Sequence, residues 1–155
     1  MTNLLVVDDD IAVCRIVHRM LSDEHCNVQT SHSVAEALEA IEQRPFNIYV
    51  MDYKLPDGSG LDVAERIRSK WGAAPIILIS GYDSSALALR SGKLGIADFL
   101  EKPFSREILC DAVKKAIASA PDHPPSATAP ETERSQTKPS FWQVTARAIH
   151  AIRQR

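Results

Sequence analysis

Over residues 1–119 the sequence alternates between two hydrophobic periods. Short apolar runs at Leu4–Val7, Val28–Thr30, Asn47–Met51, Ile76–Ile79 and Ala97–Leu100 are mostly rich in Val and Ile, as buried parallel strands should be. Between them lie segments of helical period. Ile11 to Leu21 puts Ile11, Cys14, Val17, His18 and Leu21 on one face. Ser33-Val34-Ala35-Glu36 reads as a capping box opening a helix to about Glu42. Further helices are expected from Leu61 to about Lys70 and from about Ser84 to Arg90. A last one starts at the N-cap Ser105, with Ile108, Leu109, Ala112, Val113 and Ala116 on one stripe. Five strands alternating with five helices imply an α/β domain with a parallel sheet, and right-handed crossovers place helices on both of its faces.

Composition supports a globular chain: 45% of the 155 residues are hydrophobic and 25% charged. The net charge of -2 hides an asymmetry. Residues 1–120 carry more acids than bases, whereas Lys138 to Arg155 carries only bases. Cys14, Cys26 and Cys110 form no CxxC pair and read as small hydrophobes in a reducing compartment. The first residues show no basic, apolar leader, and no apolar stretch approaches the ~20 residues of a membrane span. A cytoplasmic location is the expectation. After Ala120 the composition shifts to Pro, Ala, Ser, Thr and charge, so residues 121–140 read as a flexible linker. Residues 141–155 read as a basic amphipathic helix or a disordered tail, with Trp142, Thr145, Ile149 and Ile152 at helical spacing.

Chemistry concentrates at the ends of the predicted strands. Asp8-Asp9-Asp10 follows the first, Asp52 the third, Ser80-Gly81 the fourth and Lys102-Pro103 the fifth. In open α/β sheets ligands bind at this carboxyl edge, where strand order reverses. If strands one and three are neighbours, Asp8, Asp9 and Asp52 converge, while Asp10 caps the first helix. Two unit charges ~4 Å apart repel by roughly 4 kcal/mol at an effective dielectric of ~20. A hard divalent cation would compensate, and Mg²⁺ suits a site with few carboxylates, retained waters and room for a phosphate oxygen. Lys102 adds a fixed positive charge and Ser80 a hydroxyl. A carboxylate nucleophile at Asp52 with these partners describes phosphoryl transfer to an aspartate. No EF-hand loop, Walker glycine loop or Ser-His-Asp order is visible.

These residues resemble the receiver domains of bacterial two-component response regulators. The resemblance covers about residues 2–119. It is carried by Leu-Leu-Val-Val-Asp-Asp-Asp, by residues 50–62 (Val-Met-Asp-Tyr-Lys-Leu-Pro-Asp-Gly-Ser-Gly-Leu-Asp), by Pro75 to Gly81, and by residues 97–104 (Ala-Asp-Phe-Leu-Glu-Lys-Pro-Phe). It implies a flavodoxin-like, doubly wound five-stranded parallel sheet of order 2-1-3-4-5 with five helices, spanning residues 1–120. It also implies roles: Asp52 as phosphoacceptor; Asp9 as a direct Mg²⁺ ligand, with Asp8 assisting; the Lys54 backbone carbonyl as a further ligand. Lys102 would pair with the phosphoryl group ahead of a cis Pro103, and Ser80 and Phe99 would be the switch pair. Lys54 and Tyr82, each two residues beyond a site residue, are expected to overhang the acyl phosphate and slow its hydrolysis.

The implied function is a phosphoacceptor switch rather than an enzyme, with slow self-dephosphorylation. A sensor histidine kinase or histidine phosphotransfer protein would supply the phosphoryl group. The fourth-helix, fifth-strand and fifth-helix surface would address a downstream protein, and phosphorylation-linked homodimers are compatible with it. Residues 121–155 are too short for a winged helix, so DNA reading by this chain alone is not expected. The alternative is the receiver part of a DNA-binding transcriptional regulator whose output domain is absent from this chain. A third class, receiver-like modules that are never phosphorylated, usually lacks part of the acid cluster or the lysine, and this chain keeps both.

Overall fold

A computed structural model describes residues 1–22, 25–81, 91–92 and 94–120. The elements run β1 (Thr2–Val7), α1 (Ile11–Ser22), β2 (Cys26–Ser31), α2 (Val34–Gln43), β3 (Ile48–Asp52), β4 (Lys54–Leu55), β5 (Gly58–Ser59), α3 (Gly60–Trp71), β6 (Ile76–Ser80), β7 (Asp98–Glu101) and α4 (Arg106–Ala118). The helix expected at about Ser84–Arg90, the linker and the basic tail lie outside the described residues. The element α4 is therefore the fifth helix of the sequence reading.

The five long strands form one parallel sheet of order β2-β1-β3-β6-β7. This is the expected 2-1-3-4-5 arrangement. Strand order reverses beside β1, so the ends of β1 and β3 lie next to each other, with Val7 in register with Met51. Strand alternation splits the core in two. Leu5, Val7, Tyr49, Met51, Ile76 and Leu78 face α2 and α3, while Leu4, Val6, Ile48, Val50, Ile77 and Ile79 face α1 and α4. The central strand β3 is buried along its whole length, which explains its unbroken apolar run.

Helix starts follow the polar signals. Asp10 accepts hydrogen bonds from the N–H groups of Ala12 (2.8 Å) and Val13 (3.4 Å), capping α1. Ser105 caps α4 through the Ile108 N–H. Ser33 caps α2 through the Glu36 N–H, but the second arm of the expected capping box differs: the Glu36 carboxylate accepts from the His32 N–H at 2.7 Å rather than from Ser33. The complete capping box is at α3, between Ser59 and Asp62. Stripe edges also differ from expectation. Ile11 and Ile108 are more than half exposed and His18 is exposed, whereas Cys14, Val17, Leu21 and Cys110 are buried. A helical period locates a face but not how far the sheet reaches around it.

Candidate functional site

The carboxyl edge of the sheet gathers four charged side chains. Asp8 leaves the end of β1, Asp52 is the last residue of β3, and Lys102 follows β7 directly. One carboxylate oxygen from each of Asp8, Asp9 and Asp52 lies within 4.8 Å of the others. The Lys102 Nζ stands 2.7 Å from Asp8 Oδ2 and 2.7 Å from Asp52 Oδ2, bridging the two. The remaining oxygens accept backbone bonds: Asp8 Oδ1 from Asp10 N–H at 2.9 Å, and Asp52 Oδ1 from Lys54 N–H at 3.1 Å. Asp8 is buried and Asp9 exposed, and Asp52 has the partial exposure of a group at the floor of a cleft.

The electrostatics follow from burial. Desolvation pushes the Asp8 carboxyl above the usual carboxylate range, against the downward pull of the Lys102 and Asp10 hydrogen bonds. Burial pulls Lys102 down, but hydrogen bonds to Asp52 and Asp8 and their charges outweigh it, so the ammonium is held above its ordinary value. One lysine thus serves two carboxylates with a third nearby, and the cluster remains short of positive charge. An all-oxygen set of this kind, opening on one side to solvent, fits a hard divalent cation such as Mg²⁺. Asp9, Asp52, Lys54, Leu55, Gly81 and Lys102 line that opening, a cleft of about 390 Å³.

Ser80 ends β6 beside Asp52, buried, and its carbonyl accepts the Lys102 N–H at 2.8 Å. The Lys102–Pro103 peptide is cis. Phe99 pairs with Leu78 in register and is partly buried against the cluster under α2 and α3. It lies along the sheet rather than in the cleft lining. Tyr82 lies outside the described residues.

Several supporting residues were not legible in the sequence. The Asp8 carbonyl oxygen accepts from Cys14 Sγ (3.3 Å) and from the His32 ring Nδ1–H (3.1 Å), which fixes the backbone beneath the acid pair. Burial, followed by the nearby Asp8 charge, pushes the Cys14 thiol up to about 11, so it acts there as a neutral donor. Gly60 is required by packing, since a Cβ there would collide with the Asp52 carbonyl oxygen and crowd Leu78. Lys54–Leu55 and Gly58–Ser59 pair as a two-stranded antiparallel ribbon beside the cleft. At its turn, Asp57 accepts from the Val34 and Ala35 N–H groups at the start of α2. Only the Asp-Gly turn chemistry near Pro56 hinted at this ribbon.

Comparison with known proteins points one way. The profile of the response regulator receiver domain family matches residues 4–114. The acid tolerance regulatory protein ActR of Rhizobium meliloti (strain 1021) is 37% identical over 128 residues, covering 81% of this chain and 66% of ActR. The transcriptional regulatory protein ZraR of Escherichia coli (strain K12) is 30% identical over 134 residues, covering 86% of this chain but 30% of ZraR. The chain thus spans less than two thirds of these relatives. Among solved structures, the response regulator protein TrrA of Thermotoga maritima, crystallised with Mg²⁺-BeF, has a TM-score of 0.68 and 30% identity, covering 75% of this chain and 99% of that one.

Proposed function

The chain belongs to the response regulator receiver family, and on that premise we propose that Asp52 accepts a phosphoryl group from a phosphohistidine donor. The observation that carries this reading is the bridge: one lysine 2.7 Å from both Asp8 and Asp52, with Asp9 completing a carboxylate triad. An Asp52 oxygen attacks phosphorus while the phosphorus–nitrogen bond to the donor imidazole breaks, and the electron pair leaves with the nitrogen. The product is an acyl phosphate. Lys102, already seated on Asp52, pairs with the incoming phosphoryl oxygens, and the Ser80 hydroxyl donates to another. Asp9 and Asp52 would hold Mg²⁺, with Asp8 assisting and the Lys54 carbonyl as a further ligand. The ion would neutralise charge on the transferring group. TrrA, with its Mg²⁺-BeF, supports this assignment by likeness.

Reversal of the signal is attack of water on phosphorus, which releases inorganic phosphate and restores the carboxylate. Lys54 lines the cleft and Tyr82 follows Gly81, so both side chains are assigned to obstruct that water. Output runs through Ser80 and Phe99: the hydroxyl moves to the phosphoryl oxygen and the ring turns into the vacated space, a two-state element biased by one added charge. Phe99 carries no hydroxyl, so its inward state has no polar penalty. The partners are a histidine kinase or phosphotransfer protein upstream and a protein target, or a second copy, downstream. A second reading, the receiver of a transcriptional regulator with a separate DNA-binding part, is favoured by the likeness to ZraR.

The test is incubation with Mg²⁺ and acetyl phosphate, followed by intact-mass measurement. One phosphoryl adduct is expected, lost on Asp52→Asn; an adduct that survives that substitution refutes the assignment. Decay of the adduct should speed up in Lys54→Ala and Tyr82→Ala, and unchanged decay in both rejects their shielding role.

A further inference from the structure

We infer that Asp57 is a positioning residue for the cation and phosphoryl site, acting through the ribbon that carries Lys54. The inference rests on the proposed reading of Asp52 and the Lys54 carbonyl. Lys54 is held at one end by the phosphoacceptor, whose Oδ1 accepts the Lys54 N–H at 3.1 Å. The ribbon closes on itself through Lys54 with Ser59 and Leu55 with Gly58, and the Gly60 N–H returns to the Tyr53 carbonyl at 2.9 Å. These bonds fix the shape of the ribbon but not the tilt of its tip.

The tip is fixed by Asp57. Its Oδ1 accepts from Val34 N–H at 2.7 Å and its Oδ2 from Ala35 N–H at 2.9 Å. These are the first two N–H groups of α2, which lack a partner within the helix. A carboxylate bound by both of them at the positive end of the helix is held firmly in direction as well as position. Ser33 Oγ takes the third N–H, from Glu36, at 3.1 Å. The first turn of α2 is therefore shared between a local cap, Ser33, and a distant one, Asp57. The distant cap alone ties the helix to the cleft wall, where Lys54, Leu55 and Pro56 stand.

This division supplies the control. Ser33→Ala removes one capping bond from α2 and leaves the ribbon anchored. Asp57→Ala removes two capping bonds and frees the ribbon tip. A helix cap and nothing more would make both variants less stable and leave Mg²⁺ binding alone. Removing partners one step behind a metal ligand weakens affinity by ~10–100-fold, and Asp57 acts through backbone, so roughly tenfold is expected. Mg²⁺ affinity by titration calorimetry and the rate of phosphorylation by acetyl phosphate are measured on the full chain, with melting temperature alongside. The expected result is Mg²⁺ affinity and rate lowered roughly tenfold in Asp57→Ala, partly restored in Asp57→Asn, which keeps one acceptor oxygen, and unchanged in Ser33→Ala. The inference is overturned if Asp57→Ala binds Mg²⁺ like the parent, or if Ser33→Ala weakens it equally. If the parent itself takes no Mg²⁺-dependent adduct on Asp52, the proposed function fails first, and that outcome is read from the parent alone.

Discussion

Two buried ionisable side chains tie the stability of the fold to pH. Tyr49 is fully buried on β3, and its hydroxyl accepts the Phe46 N–H at 3.1 Å. Burial, against that bond, pushes its phenol from 10.0 to about 12. A folded value above the unfolded one means the contribution is fully present below pH 10 and is lost as pH rises toward 12. Tyr49→Phe should cost ~1–3 kcal/mol at neutral pH, by leaving a buried N–H unpaired, and should flatten the alkaline limb of a stability profile. Denaturant melts of both proteins between neutral and alkaline pH measure this, and parallel alkaline limbs would contradict it. Asp8 has the same sign, but its window lies at acid pH. Its carboxyl is raised by burial, so whatever stability it contributes is present below its unfolded value of 3.8 and lost as pH rises through the folded one. At neutral pH its charge therefore opposes folding when no cation is bound. Asp8→Asn should raise the melting temperature in chelator and shrink the further rise produced by Mg²⁺. A lower melting temperature in chelator would show that the Lys102 bridge outweighs desolvation. That is the stability–function exchange expected where like charges are gathered for chemistry.

At the scale of elements, strands were read more securely than helix faces. The inner strands β1, β3 and β6 show as apolar runs because they are covered on both sides, with β3 and β6 buried throughout, whereas the edge strands β2 and β7 are only partly buried. Ile11 and Ile108 fit their helical stripes by spacing yet face solvent, since a helical period locates a face but not how far its cover extends. The acid cluster was legible because each member follows a strand, which makes it a problem of topology. Asp57, Cys14 and His32 were not, because each bonds to backbone atoms of another element, and no side-chain pattern records such a partner. The short ribbon was missed for the same reason, having only two residues per strand. Its junction with α3 yields a prediction. The Gly60 Cα packs so closely on the Asp52 backbone that a methyl group cannot be added without moving one of them. Gly60→Ala should cost ~1–3 kcal/mol from overpacking and also reduce phosphoryl uptake, since the displaced partner is Asp52, the proposed phosphoacceptor. Ser59→Ala, which removes the cap of the same helix, should cost ~1 kcal/mol and leave uptake intact. Equal uptake by the two variants would show that the close approach is packing alone.

For the molecule as a whole, the site matters because it joins β7 to β1 and β3, strands with which β7 makes no pairing in the sheet. Asp8 and Asp9 follow β1, Asp52 ends β3 and Lys102 follows β7, while β2 contributes no proposed ligand. A ligand held by these residues stabilises the fold by mass action, by about 2.7 kcal/mol at a hundredfold excess over Kd. That increment is global, so it slows the exchange of every amide that opens only on unfolding. Strand β7 should respond beyond it. It is a four-residue edge strand, and edge elements open locally at a lower free energy than the core. Its continuation is pinned by the Lys102 N–H to the Ser80 carbonyl at 2.8 Å, and by the Lys102 ammonium at the site. Filling the site from both sides, with Mg²⁺ and beryllofluoride, should suppress that local opening. Hydrogen exchange should therefore slow more at the amides of Phe99–Lys102 than at those of Val28–Thr30 on the opposite edge, and Asp52→Asn should abolish the difference. A uniform slowing across both edges would mean that the ligand stabilises the sheet without selecting its β6–β7 side. The switch proposed for Ser80 and Phe99 would then have no local motion to act on.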